Sequence, residues 1–270
     1  MNEKQKSWFI FAFLKMSELK TKIESVIFDY GNTLILDPFP AILEMKSQEF
    51  QRQLIKCDYR ITLTDLLEAW AKANREINLR FISHFCQEEI IIEQALQSLG
   101  MNGKDASKIG YELLHVYRQG FKERLSSDPR RNEIRRTLLY IKSKGLKLGV
   151  LSNERKDALD FGLTCYGVID LFDLVLSSEE LGIEKPCVEA FRQTLDLLGS
   201  SPKKSVSVGD DSINDVLAPQ KIGIKTILYV PPPEFSFETS WRRYRYSEIN
   251  PDFVIKDFTE LEKIFDHLLL

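Results

Sequence analysis

Residues Ser25-Val26-Ile27-Phe28-Asp29 form a short apolar run rich in β-forming side chains, ending on a carboxylate and followed by the turn signal Gly31-Asn32. The run predicts a buried strand with an acid at its carboxyl end. From about residue 38 to 128 the period becomes helical: Leu66, Trp70, Ala73, Ile77 and Phe81 share one face, as do Leu114, Tyr117 and Phe121. Gly100 and Pro129 punctuate this stretch, and no strand interrupts it. Beyond Pro129 the two periods alternate. A helix carrying Ile134, Leu138 and Ile141 stops at Gly145, and strand Lys147 to Ser152 follows, then another helix and strand Leu174 to Ser178. Pro186 is expected to open a helix with Val188, Phe191, Leu195 and Leu198 on one face, closed by Gly199. Ser205 to Val208, Ile224 to Val230 and Asp252 to Ile255 read as further strands, the last leading into a helix with Leu261, Ile264, Phe265 and Leu268.

Alternating strands and helices argue for an α/β fold, a doubly wound parallel sheet with right-handed crossovers. The core is then built from residues 16–37 and 129–270, and the helical block 38–128 is an insertion that reads as a lid. Pro231-Pro232-Pro233 and the polar stretch to Asn250 form the one long loop. At the start, Lys4 and Lys6 precede an apolar run from Trp8 to Leu14 that is far too short to span a bilayer. Residues 1–15 are expected to be a non-native or disordered extension.

Composition narrows the classes. With 43% hydrophobic and 29% charged residues among 270, the chain is ordinary globular protein. A formal net charge of -3 gives no global electrostatic support for nucleic-acid or membrane partners, so neither is expected. Cys57, Cys86, Cys165 and Cys187 are far apart and form no metal-ligand pair, which fits free thiols in a reducing compartment, the cytoplasm. The segment Trp241-Arg242-Arg243-Tyr244-Arg245-Tyr246 interleaves arginine with aromatics but is read as a solvated loop, and His84, His115 and His267 lack ligand spacing. Arg75, Arg80, Arg118, Lys122 and Arg124 in the insertion would reach an anionic substrate or lie on a solvated face equally well.

In open α/β sheets ligands bind beyond the carboxyl ends of the strands, which here are Asp29, Ser152 and Asp210. Asp210, Asp211 and Asp215 then place several carboxylates near one edge, together with a hydroxyl and no histidine. That donor set suits a hard, oxygen-seeking cation such as magnesium, which usually takes one or two carboxylates plus a substrate phosphate. Lys185, directly before the helix expected at Pro186, adds a positive charge and a helix N-terminus, both favourable to phosphate.

Four segments carry a family resemblance: Phe28-Asp29-Tyr30-Gly31-Asn32-Thr33-Leu34, Val150-Leu151-Ser152-Asn153, Glu184-Lys185-Pro186, and Val208-Gly209-Asp210-Asp211-Ser212-Ile213-Asn214-Asp215. In order and spacing they resemble the motifs of the haloacid dehalogenase-like superfamily, from about residue 23 to the end, with the insertion resembling its helical cap. The resemblance implies a Rossmann-like core and a hydrolase acting on small phosphorylated substrates. It implies that Asp29 is the nucleophile, forming an aspartyl-phosphate, and that Mg2+ is held by Asp29, the carbonyl of Gly31, Asp210 and Asp215. It further implies that Thr33, Ser152, Asn153 and Lys185 bind the phosphoryl oxygens, with Lys185 also serving catalysis.

The chain departs from that pattern at one position. Phosphatases of the superfamily carry a second aspartate two residues after the nucleophile, for acid-base work, and here the position is Gly31. Three readings stay open: a substrate whose leaving group needs little protonation, an acid supplied elsewhere (Glu154 and Asp37 are the nearest by sequence), or a weak or inactive enzyme. A metal-free dehalogenase-like hydrolase is the alternative within the superfamily, and a phosphate-binding regulatory protein the alternative outside enzymes. Substrate identity and oligomeric state are not legible.

Overall fold

The computed structural model describes residues 22–36, 39–56, 59–80, 88–232 and 249–270. The N-terminal extension, Asp37, Cys57, Phe81, His84, Cys86 and the Trp241–Tyr246 segment lie outside the described residues, as do the side chains of Arg75, Ile77 and Arg80.

Among the described residues six strands form one parallel sheet: β1 (Ser25–Phe28), β2 (Lys147–Ser152), β3 (Leu174–Ser177), β4 (Ser205–Gly209), β5 (Lys225–Tyr229) and β6 (Phe253–Ile255), in spatial order β3-β2-β1-β4-β5-β6. The order reverses at β1, between β2 and β4, so the crevice of a doubly wound sheet opens at the end of β1, where Asp29 sits. Pleating explains the strand sequences. Val26 and Phe28 of β1, Leu148 and Val150 of β2, and Val206 and Val208 of β4 bury on one face, while Ile27 and Leu151 bury on the other.

Helices cover both faces. Ile134, Leu138 and Ile141 of α6 (Arg130–Ser143), Leu159, Leu163 and Tyr166 of α7 (Lys156–Tyr166), and Leu261 and Phe265 of α11 (Glu260–Leu269) close the first. Ala190, Phe191, Leu195 and Leu198 of α9 (Val188–Leu198) close the second, with Ala218 of the short α10 (Ala218–Gln220). Each such fully buried side chain contributes roughly 1.5–3 kcal/mol of transfer free energy, which ties these helices to the sheet. α8 (Ser178–Leu181) is a single turn after β3, opened by a capping box at Ser177 and Glu180. Helix α9 begins at Val188 with Cys187 as its N-cap residue, two residues later than the proline signal implied, so Lys185 does not stand at its N-terminus. Pro186 belongs to the connecting loop, which turns the Lys185 side chain into the site.

Between β1 and α6 lie α1 (Phe39–Met45), α2 (Ser47–Ile55), α3 (Leu63–Arg80), α4 (Glu88–Ser98) and α5 (Gly103–Ser126). They share a separate core that includes Phe50, Leu66, Trp70, Ala73, Ile92, Leu96 and Leu113, the helical faces read from the sequence. Helix α5 starts at Asn102, whose side chain accepts from the Asp105 amide, and at about 36 Å is long enough to run from this core to the sheet. Near its far end Leu125 joins the sheet core, and the rings of Trp70, Tyr117, Phe121 and Phe161 follow one another at centroid separations of 5.7 to 6.1 Å. That ladder links the helical insertion to α7. Among the described residues no helix is long and apolar enough to cross a membrane.

Candidate active site

Asp29 follows β1 directly, and its amide donates to the Val208 carbonyl at 2.9 Å, continuing the parallel ladder for one residue more. The chain then turns tightly. Tyr30 O accepts from both Leu34 and Ile35, Asn32 adopts a left-handed φ of 55°, and Gly31 bridges to Ile35. This turn brings Thr33, fully buried, back over the strand end, where its Oγ1 donates to Asp29 Oδ2 at 3.2 Å. Tyr30 packs into α7 where only a glycine fits: a Cβ on Gly162 would overlap the phenol oxygen. Gly31 is exposed, and a Cβ built there would meet nothing within 4 Å.

The second acid group comes from β4 and the turn after it. Asp210 follows the strand, and a π-helical turn over Ser212–Leu217 brings Asp215 back beside it. Carboxylate oxygens of Asp29, Asp210 and Asp215 all lie within 4.8 Å of one another. Asp215 packs directly on the strand backbone, because a Cβ on Gly209 would overlap its carboxylate. Asp211 does not join this group. Its Oδ1 accepts from the amides of Ile213 and Asn214 and caps the turn, since an acid at that position meets free amides before it can reach the strand ends. The Asp211 amide in turn donates to Asp215 Oδ2 at 3.0 Å.

Lys185 enters from the loop before α9 and is almost wholly buried. Its Nζ donates to Asp29 Oδ1 and to Asp215 Oδ1, each at 2.7 Å. Burial alone would lower the ammonium's pKa, but the charges of Asp215 and Asp29 outweigh it and hold Lys185 above its ordinary value. Burial pushes the Asp215 carboxyl up, Lys185 opposes, and the charges of Asp29 and Asp211 add to the rise. Three carboxyl groups face one ammonium in a buried place, and the raised Asp215 carboxyl reflects the cost of keeping all three charged, a cost that a bound cation would relieve. The donors are all oxygens, so a hard divalent ion fits them.

Beyond β2, the Ser152 hydroxyl accepts from the Glu154 amide at 3.0 Å. Asn153 is turned toward Lys185: Asn153 Nδ2 donates to Lys185 O and Lys185 N donates to Asn153 Oδ1, each at 2.9 Å. The asparagine expected to touch phosphate thus fixes the main chain that carries the lysine. Glu154 lies two residues beyond β2, near Glu88 of the insertion, crowded by protein yet open to solvent. That crowding, with Glu88 and Asp157 nearby, raises its carboxyl, against a hydrogen bond from the Arg155 amide. Arg118 is bound to Glu88 and Glu89, each at 3.1 Å, so it does not reach toward the strand ends as a free charge. Cys187 is exposed, and His115 pairs with Gln119 within α5. The sequence reading missed Gly162 and Gly209. A glycine directly before an acid at a strand end was a signal for Gly209, whereas nothing local marks Gly162.

A family model described as haloacid dehalogenase-like hydrolase matches residues 26–229. The phosphoglycolate phosphatase of Aquifex aeolicus (strain VF5) is 31% identical over 135 residues, covering 50% of this chain and 58% of that protein. The chain thus spans little more than half the length of that relative. Pyrophosphatase PpaX of Bacillus mycoides (strain KBAB4) is 24% identical over 197 residues, covering 70% of this chain and 87% of that one. The structure of L-2-haloacid dehalogenase from Xanthobacter autotrophicus superposes with a TM-score of 0.62 at 18% identity, covering 90% of this chain and 98% of that one. At that identity the likeness is one of fold, and a fold hosts more than one reaction.

Proposed function

The chain belongs to the haloacid dehalogenase-like hydrolases, and we propose that within this family it is a magnesium-dependent phosphatase of small phosphorylated metabolites that works through an aspartyl-phosphate on Asp29. The observation that carries the reading is the convergence of Asp29, Asp210 and Asp215 within 4.8 Å, with Lys185 bridging two of them. A dehalogenating hydrolase needs a nucleophilic carboxylate but no cluster of acids around it. The names of the two similar enzymes, a phosphoglycolate phosphatase and a pyrophosphatase, agree with phosphoryl rather than halide chemistry.

In this reading Asp29, Asp210 and Asp215, with the Gly31 carbonyl, would hold the cation. Bound there, magnesium would supply positive charge that offsets repulsion between the carboxylate and the phosphate. The chain's own residues do the rest. Asp29 attacks phosphorus through one carboxylate oxygen, the bond from phosphorus to the leaving oxygen breaks, and the phosphoryl group rests on Asp29. Water then attacks the same phosphorus, releasing inorganic phosphate and restoring the carboxylate. Thr33, Ser152 and Lys185 stabilise the phosphoryl oxygens, Asn153 holds Lys185 in place, and the helical insertion serves as a lid over the strand ends. With Gly31 two residues after the nucleophile, the leaving group gets no proton from that position, so acyl and aryl phosphates are the favoured substrates.

The test is phosphate release from acetyl phosphate, an aryl phosphate and alkyl phosphates, with and without magnesium, in wild type and Asp29→Asn. Metal-dependent release that vanishes in the variant supports the reading. Release that survives Asp29→Asn, or none from any substrate, overturns it.

A further inference from the structure

Thr33 is held at two points. Its hydroxyl donates to the Asp29 carboxylate, and its carbonyl oxygen accepts from Arg130 Nη2 at 3.3 Å, a contact made across 97 positions of sequence. The remainder of the turn is tied within itself through Tyr30 O and Ile35 O. Arg130 therefore reaches the phosphate-binding turn from a different part of the molecule.

Contacts fix both the main chain and the side chain of Arg130. The Arg130 amide donates to Asp128 Oδ1 at 2.9 Å, and Asp128 Oδ2 accepts from the buried Tyr166 hydroxyl at 3.3 Å. The guanidinium carbon stands 5.7 Å from the ring centroid of Tyr229, at the end of β5, within reach of a cation–π contact. Nη1 is buried and makes no hydrogen bond among the described residues. A buried guanidinium N–H left unbonded is costly, so the side chain is not placed there for its own satisfaction. Arg130 is also the first residue of α6, where the chain returns from the helical insertion to the sheet. It joins three things in one side chain: the end of the insertion, the carboxyl edge of β5, and the turn carrying Thr33.

We propose that Arg130 is a positioning residue for phosphoryl transfer, clamping the Thr33 peptide so that the Thr33 hydroxyl stays directed at the Asp29 carboxylate and the group transferred to it. The inference rests on the phosphatase reading above. A merely structural role is the competing explanation, because the Arg130 charge also opposes the rise that burial and Asp257 impose on the Glu133 carboxyl, and adds to the lowering of Asp257 that its hydrogen bonds with Thr259 begin.

A double-mutant cycle separates the two, using the full chain with magnesium and an aryl phosphate. Arg130→Met, Thr33→Val and the double variant are compared for kcat, KM and melting temperature, with Arg130→Lys as the conservative variant. If Arg130 acts through Thr33, Arg130→Met lowers kcat by roughly 10- to 100-fold, the scale of one charged hydrogen bond, and Arg130→Lys recovers part of the loss. In the Thr33→Val background the same change has almost no further effect, staying within about twofold. An undiminished penalty in that background, or full kcat in Arg130→Met, overturns the proposal while leaving the phosphatase reading intact. Wild-type protein that releases no phosphate overturns both. Should Arg130→Met fail to fold, Arg130→Lys runs the same cycle, with the same coupling to Thr33 expected and its absence equally decisive.

Discussion

Replacing Lys185 by methionine keeps an unbranched stem of similar reach and removes only the ammonium. The structure makes the consequence calculable to an order of magnitude. Lys185 and Asp215 side chains are each 3% exposed and Asp29 12%, and the ammonium makes two contacts of 2.7 Å. Removing one partner of a buried ion pair costs about 3–5 kcal/mol, because the surviving charges are left uncompensated. For a chain of this size that corresponds to a drop in melting temperature of roughly 6–20 °C in metal-free buffer. Magnesium should return part of it. With the ammonium gone, the ion alone compensates the acids and binds more tightly, so one magnesium concentration ~100-fold above the variant's Kd would restore about 2.7 kcal/mol there and less in the wild type, whose Kd is higher. Thermal melts of wild type and Lys185→Met, each with chelator and with excess magnesium, read both effects. The larger magnesium-induced shift belongs to the variant. A variant that melts with the wild type without metal, or that responds to magnesium no more than wild type does, would refute the argument that Lys185 and the cation compensate the same charges.

Three other substitutions test the site's local logic. Gly31→Asp has open space around its Cβ and no positive φ to oppose it, so it should fold normally and raise turnover of alkyl phosphates by about 10²- to 10⁴-fold in phosphate-release assays. No gain in a folded variant would refute the assignment of that position. Gly209→Ala puts a methyl group where the Asp215 carboxylate lies, and should weaken magnesium binding by calorimetry while the far-ultraviolet circular dichroism stays that of wild type. Gly162→Ala pushes on the Tyr30 hydroxyl, and with it the residue next to Asp29; we expect about 1–3 kcal/mol lost in chemical denaturation and a fall in kcat larger than any change in KM.

The sheet was legible because buried parallel strands are short apolar runs, and each of the six stands within a residue or so of its sequence-read position. The acids Asp29 and Asp210 were legible for the same reason: a carboxylate directly after such a run has to sit at the strand's carboxyl end. The partners of the site side chains were not. Asp211 and Asp215 are four residues apart with the same functional group, and only the turn geometry sends one to the amides and the other to the strand ends. Asn153 faces the Lys185 main chain, a pairing between residues 32 apart that no local pattern encodes. Pro186 gave a false helix start because proline suits both the first turn of a helix and a loop before it, and local sequence does not separate the two. Arg130 was invisible for the plainest reason: its target, the Thr33 carbonyl, is a backbone atom 97 residues away.

The central claim is that phosphate passes through Asp29. Acid quenching during turnover of acetyl phosphate with magnesium, followed by proteolysis and mass spectrometry of the peptide containing Asp29, tests it most directly. A phosphoryl group on Asp29, present only with metal and absent from Asp29→Asn, is the predicted result. Continued phosphate release with no adduct on Asp29, or with the adduct on another residue, would contradict the account.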